Sequence, residues 1–139
     1  MNLVEQLLKA DAKKADELAT GTFESNRLAR LLGLEDAVEV SIQEIPSRRL
    51  NEIAGYSIDG KGNFQFEKSY DANLMACIEG VTEPNLRDKD LQRHFGAKNA
   101  KELCEKLFAA EAKDLSDAIA ALSEYANKEG EDKEEEVKN

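Results

Sequence analysis

One stretch limits how this chain can fold more than any other: Tyr70 to Phe95, YDANLMACIEGVTEPNLRDKDLQRHF. Leu74, Met75 and Ile78 recur at helical spacing, and Leu86, Leu91 and Phe95 supply a matching apolar set further on. Between them stands Gly-Val-Thr-Glu-Pro. Gly80 reads as the left-handed residue that ends the first helix, and Pro84 as the residue that keeps the chain extended before the second. Gly96 closes the second helix. The pattern predicts two short helices joined by a hinge. It is a packing unit, and no residue in it is arranged for chemistry.

A chain of 139 residues supports one ordinary core. Hydrophobic residues make up 41% and charged residues 35%, so the core should be modest and the surface heavily solvated. Trp is absent and aromatic residues amount to 6%, which argues against a stacking platform for single-stranded nucleic acid. The formal net charge of −10 would repel a phosphate backbone and an anionic membrane surface. Neither nucleic acid nor membrane is therefore expected as a partner. Part of the charge is local. Residues 127–139 form an acidic tail without apolar periodicity, KEGEDKEEEVKN from Lys128 to Asn139, of the kind that stays disordered and solvating. Cys77 and Cys104 fall on apolar helical faces with no Cys or His at ligand spacing, and read as buried free thiols in a reducing compartment. No apolar run approaches the roughly 18 residues of a membrane span. The N-terminus has no long apolar core of the signal-peptide kind. A cytosolic protein is expected.

Taken in order, the chain opens with a helical arm over about residues 1–20. Asn2 can cap a short helix with Leu3, Val4, Leu7 and Leu8 on one side. The following DAKKADELA is good helix-forming material with little to bury, a solvated extension first and a docking arm second. Leu3, Leu7 and Leu8 are the anchors such an arm would offer to a groove. Gly21 breaks the pattern, and no element is assigned to Thr22–Asn26. Arg27 to Leu32 reads as a turn or two of helix ending at Gly33. Val38-Glu39-Val40-Ser41-Ile42 alternates with period two and reads as a half-buried strand. Ser47 should cap a helix over Arg48–Ala54 with Leu50 and Ile53 inward, stopped by Gly55. IDGKGNFQF is a glycine-rich turn with Phe64 and Phe66 on one face, either a small hairpin or a loop. Asn99 and Glu102 open a further helix as a capping box, with Leu103, Leu107 and Phe108 as its buried stripe. A last helix from about Lys113 to Ala126 buries Leu115, Ile119, Leu122 and Tyr125.

Candidate sites are few. Gly55 to Lys61 meets the G-x-x-x-x-G-K part of a phosphate-binding loop, but Gly62 replaces the hydroxyl residue that would hold magnesium. A helix precedes the motif where a strand is required, and Asp59 would put negative charge inside the cradle, so a turn is the better reading. A calcium loop starting at Asp59 fails because Lys61 occupies a ligand position and Phe64 the glycine position. His94 is the only histidine and reads as a surface residue near a helix end. No Ser, Cys or carboxylate stands in an arrangement that activates a nucleophile. No cofactor and no metal are expected. Arg48 and Arg49, with Arg27 and Arg30, form the densest positive group in an acidic chain. Arg48 and Arg49 are the first place to look for recognition of an acidic partner.

The run from Ile45 to Tyr125 resembles a family of small phage proteins, the XkdN-like tail assembly chaperones. The residues that carry the likeness are Ile45-Pro46 with Arg49-Leu50, Gly62 with Phe64, and Ile78-Glu79-Gly80-Val81 with Glu83-Pro84. Leu86 with Asp88, Leu91 with Phe95-Gly96-Ala97, Leu107-Phe108, Ala110-Glu111 and Leu122-Ser123 with Tyr125 follow. Upstream, Arg27-Leu28 and Leu32-Gly33 also fit. A departure falls at Ala109-Ala110-Glu111, where the family pattern has a glycine-containing break. A continuous or less sharply bent helix is expected there.

The resemblance implies a non-enzymatic assembly factor of the host bacterial cytoplasm. Such a factor binds the long, helical tape measure protein and keeps it soluble while tail-tube subunits polymerise around it. It also implies the tail tube protein as a further partner and is compatible with a homo-oligomer. In related phages a frameshift extends some of the product, and the acidic tail would suit a linker to that extension. The rival reading is a structural tail or baseplate component of the virion. A nucleotide-handling enzyme built on the Gly60-Lys61 turn is a third and weaker one. The fold expected is α+β and predominantly α-helical. Short N-terminal strand or hairpin elements should precede a compact set of C-terminal helices, in one globular domain over residues 1–126 followed by the tail.

Overall fold

The structure, a computed structural model, describes residues 2–123. The elements run α1 (Leu3–Leu8), a 3-10 turn (Ala12–Asp16), β1 (Thr20–Ser25), α2 (Asn26–Leu32), β2 (Val38–Gln43), α3 (Ser47–Gly55), α4 (Phe66–Gly80), β3 (Val81–Glu83), α5 (Lys89–His94) and α6 (Ala100–Phe108). The last described helix, α7, spans residues 111–123. The class is the expected α+β one: an antiparallel sheet of order β1-β2-β3, with the longer helices in the second half of the chain. The end of the predicted last helix with Tyr125, and the acidic tail, lie outside the described residues.

The alternation in Val38–Ile42 works as a strand should. Val40 and Ile42 are buried, while Glu39 is exposed. Beside β2 lies β1, to which the sequence reading assigned nothing. Phe23 pairs with Val40 and Gly21 with Ile42. Gly21 is no breaker here. A Cβ at that position would come within 2.9 Å of Leu122 Cδ2, so the strand passes close under α7 and a side chain there would make Leu122 shift. The expected hinge is also a strand, since Val81 pairs with Ile42 and Glu83 with Ser41 across a register irregularity. The Glu83–Pro84 peptide is cis.

Helix α4 begins earlier than Tyr70 and is the spine of the core. Leu74 and Cys77 are fully buried. Around them pack Leu103, Cys104, Leu107 and Phe108 of α6 and Ala112, Leu115 and Ile119 of α7, with Leu86 beyond β3. Gly80 does not end α4 in the left-handed region. It is the last helical residue, and a Cβ there would lie 2.6 Å from Ile119 Cγ2. Its glycine is required by a helix crossing. Gly33 and Gly96 do have positive φ (70° and 68°), as predicted for the ends of α2 and α5.

Several local expectations change. In α1 the Asn2 side chain accepts from Glu5 N at 2.9 Å, as read. DAKKADELA is not a helix beyond the 3-10 turn. The segment has no apolar face to bury, and Asp11 accepts from Lys13 N in a competing local turn. Ser47 is the first residue of α3 rather than its cap; Pro46 holds the cap position and no side chain bonds there. At α6, Asn99 accepts from Glu102 N at 2.9 Å, but Glu102 reaches back to Lys98 N, one residue before the usual place. The chain between α6 and α7 is sharply broken, not continuous. Ala109 takes φ 47° and ψ −121°, its N–H bonded to Glu105 O and its carbonyl accepting from Ala112 N and the Tyr70 hydroxyl.

Two substitutions follow, each read by urea unfolding. Gly80→Ala drives a methyl into Ile119 and should cost about 2–3 kcal/mol. Ala109→Gly relieves a backbone conformation that L-residues rarely adopt and should raise stability by about 1 kcal/mol.

Candidate functional site

Residues 2–17 are exposed throughout, so α1 buries nothing although four of its six residues are apolar. Leu3, Val4, Leu7 and Leu8 are 62–80% exposed. The arm thus carries an apolar stripe with no cover from the rest of the described chain.

A second uncovered apolar surface lies on the body. Leu31, Leu32 and Leu34, in and just after α2, are 47–62% exposed. They border an open groove of about 250 Å³, lined by Leu28, Leu31 and Leu32 of α2, Val38 and Glu39 of β2, Glu83 and Pro84, Leu91 and Phe95 of α5, and Leu107 of α6. Its floor is almost entirely apolar. Ligand and cofactor pockets commonly run from about 300 to 1,000 Å³ and enclose their occupant. This groove is smaller and open along its length, a shape that takes a row of side chains from a helix.

A carboxylate from the far end of the chain holds α2 in place. Glu111, at the start of α7, accepts from the buried Ser25 hydroxyl at 2.6 Å and from the backbone N–H groups of Asn26 and Arg27 at 3.1 and 3.4 Å. Ser25 Oγ in turn accepts from Leu28 N at 3.1 Å, a helix cap. Arg27 donates two bonds to the Lys106 carbonyl. The N-terminal half of α2 is therefore tied to the α6–α7 joint, and its C-terminal leucines are left at the surface. The break at Ala109 is what puts Glu111 within reach.

The groove's only charged lining residues are Glu39 and Glu83. Glu39 stands directly across the β1–β2 pair from Glu24. Like charges in that position repel. Among the described ion pairs, none takes in Glu24, Glu39 or Glu83. One rim of the groove is therefore an uncompensated acidic strip.

The arginines are placed differently. Arg49 pairs with Glu52 and Glu79, and hydrogen bonds to these two carboxylates raise its pKa above the ordinary value. Arg27 is engaged by Lys106 O, while Arg30 and Arg48 are exposed. Gly55 to Lys61 is a turn. Asp59 accepts from Lys61 N and Asn63 N, so its own carboxylate fills the position a phosphate would take, and these bonds hold its pKa below the ordinary value. Ile58 and Phe64 form a single bridge, and Phe64 and Phe66 meet edge to face at 6.5 Å. His94 is exposed at the end of α5. Cys77 is buried with its thiol beside Cys104, and that contact and burial push its pKa up, away from thiolate chemistry. Among the described residues, no group of three or more His, Cys, Asp and Glu is placed to hold a metal ion. No described helix is long and apolar enough to cross a membrane.

Sequence reasoning found the arm but not the groove. Leu91 and Phe95, which spacing places on one apolar face with Leu86, pack half-buried against the core and also line the groove. The available signal was RLARLLGL, which is too rich in leucine for a seven-residue helix with one buried face. If Glu111 positions α2, then Glu111→Ala should cost about 2 kcal/mol. It should also speed hydrogen exchange at the Asn26 to Leu28 amides while leaving those of β2 and β3 protected.

Comparison with known proteins gives a family. The model of a family described as phage XkdN-like tail assembly chaperone protein matches residues 4–138, nearly the whole chain. No curated protein and no solved structure matches.

Proposed function

We infer a function from the premise that the chain belongs to the phage XkdN-like tail assembly chaperone family. It binds the tape measure protein of its phage and keeps that protein soluble until the tail tube encloses it. The single observation that carries this reading is the open apolar groove between α2, α5 and α6. A tape measure protein is a long helical molecule whose apolar stripes need a reversible cover before packaging. A helix lying along the groove would place one or two apolar side chains against Leu32, Leu91 and Phe95, as helix-in-groove recognition does. The chain's negative charge then gives the complex mutual repulsion against aggregation. No bond is made or broken, and the lining offers no nucleophile and no acid–base pair.

Co-expression with the tape measure protein tests this reading. The wild-type chain should carry it into the soluble fraction as a complex, and finished tails should contain none of the chain by mass spectrometry. Leu31→Asp with Leu32→Asp, both exposed positions, should leave the circular dichroism spectrum and melting temperature nearly unchanged. The tape measure protein should then return to the pellet. Unimpaired solubilisation by that variant would rule out the groove. Stoichiometric recovery of the chain in finished tails would favour a structural tail component instead.

A further inference from the structure

The groove between α2, α5 and α6 is apolar on its floor and acidic along one rim, and the rim decides what can lie in it. We infer that its occupant is a basic amphipathic helix of another protein, one with lysine or arginine on a flank of its apolar stripe. The inference rests on the groove being a helix-docking site, as in the proposed function, and adds the chemical class of helix that the site selects.

Charge complementarity carries it. Glu39 and Glu83 line the groove, and no lysine or arginine does. The alternation that buries Val40 turns Glu39 to the exposed face of the sheet, directly across from Glu24 of β1. Glu83 stands opposite Ser41, two residues from Glu39 along β2. Three carboxylates thus share this part of the sheet, and none of them enters a described ion pair. The groove also shares Glu83, Pro84 and Leu91 with an adjoining open depression, which adds Asp88, Asp90 and His94 and again no lysine or arginine. There Asp88 caps α5 and Asp90 pairs with Arg93, so the unrelieved charge is that of the glutamates. A lysine or arginine on the flank of a docked helix lays its aliphatic stem on the apolar lining and brings its charge to the rim. An acidic flank would add to the repulsion already present between Glu24 and Glu39.

The chain's own uncovered surfaces do not supply such a helix. Residues 2–17 hold Lys9, Lys13 and Lys14 against Glu5, Asp11, Asp16 and Glu17, so the arm has the apolar stripe without the positive charge. A further exposed apolar set comprises Tyr56, Ile58, Phe64 and Phe66. Ile58 and Phe64 line a pocket with no charged residue, so nothing there selects an occupant by charge. A second copy, with a formal net charge of −10, approaches the rim against repulsion.

Fluorescence anisotropy with labelled synthetic peptides tests the selection on the full chain. The peptides, of about 18 residues so as to be helical alone, share one leucine stripe and carry lysine or glutamate on its flank. At low salt the lysine peptide should bind roughly tenfold more tightly than the glutamate peptide, and high salt should remove most of the difference. Glu39→Gln with Glu83→Gln should weaken the lysine peptide by roughly five- to tenfold without lowering the melting temperature. Asp16→Asn with Glu17→Gln, the same change of charge on the arm, should leave binding unaltered. Glu39→Lys with Glu83→Lys should turn the preference toward the glutamate peptide. Equal affinity for the two peptides, a glutamine variant that binds like the wild type, or an equal loss in the arm variant would each overturn the inference. Leu31→Ser with Leu32→Ser, which leaves the charge unchanged, separates this inference from the groove reading. If binding is lost there and unchanged in the glutamine variant, the groove stands and the selection fails alone; if both variants bind normally, both readings fail together. A wild-type dimer by light scattering that the serine variant reduces to a monomer would make a second copy the occupant and overturn the inference.

Discussion

Everything in this molecule is arranged around one close approach, that of Ile119 on α7 to the backbone of Gly80 at the end of α4. A side chain on residue 80 would overlap Ile119, so the two helices cross at a distance only glycine allows. Gly21 makes a smaller concession to Leu122 one turn further along α7, where a Cβ would meet only the end of the leucine side chain. A single helix is thus seated on two glycines, one ending the central helix and one in the first strand. The chain leaves Gly80 directly into β3, so the crossing also fixes where the sheet's third strand begins. Core packing at near-crystalline density makes such a contact hard to move.

The same seat determines where the surface stays open. To lie on Gly80 and Gly21, α7 has to leave α6 at an angle, and Ala109 takes a strained backbone to make the turn. That turn delivers Glu111 to the start of α2 and holds it by three hydrogen bonds. Because α2 is held by its first turn, its last leucines are not drawn into the core. The groove is a consequence of the core's geometry, and a binding surface costs the fold little beyond the strain at one alanine.

Local chemistry was legible where local chemistry decides. The alternation of β2, the Asn2 and Asn99 caps, the glycine ends of α2 and α5 and the buried stripes of α6 and α7 all follow from neighbours within four residues. What failed were residues whose role is set by a distant partner. Gly21 and Gly80 looked like breakers because a glycine's reason for being small is invisible without the helix above it. Val81–Glu83 looked like a hinge because three residues make a strand only once β2 is beside them. Ala109 carries no signal of a break, since the break is imposed by the seat of α7. The arm could be read because its stripe is continuous in sequence. The groove could not, because five separate segments build it, and leucines lining a groove have the same spacing as leucines filling a core.

The size of the groove bears on how a chaperone of this kind would release its client. One or two aliphatic side chains, each worth about 1.5–3 kcal/mol when fully buried, make a weak site on their own. An open groove buries them only in part. On the proposed function weakness would suit the task, since tube subunits would have to replace the cover without a separate source of energy. A long helical client presents many such stripes in a row, and many weakly bound copies along it would cover it as securely as one tight binder while each remains easy to remove. On the proposed function, the Glu39 and Glu83 rim would favour helices that bring lysine or arginine beside their apolar stripe, a selectivity that leucines alone could not supply.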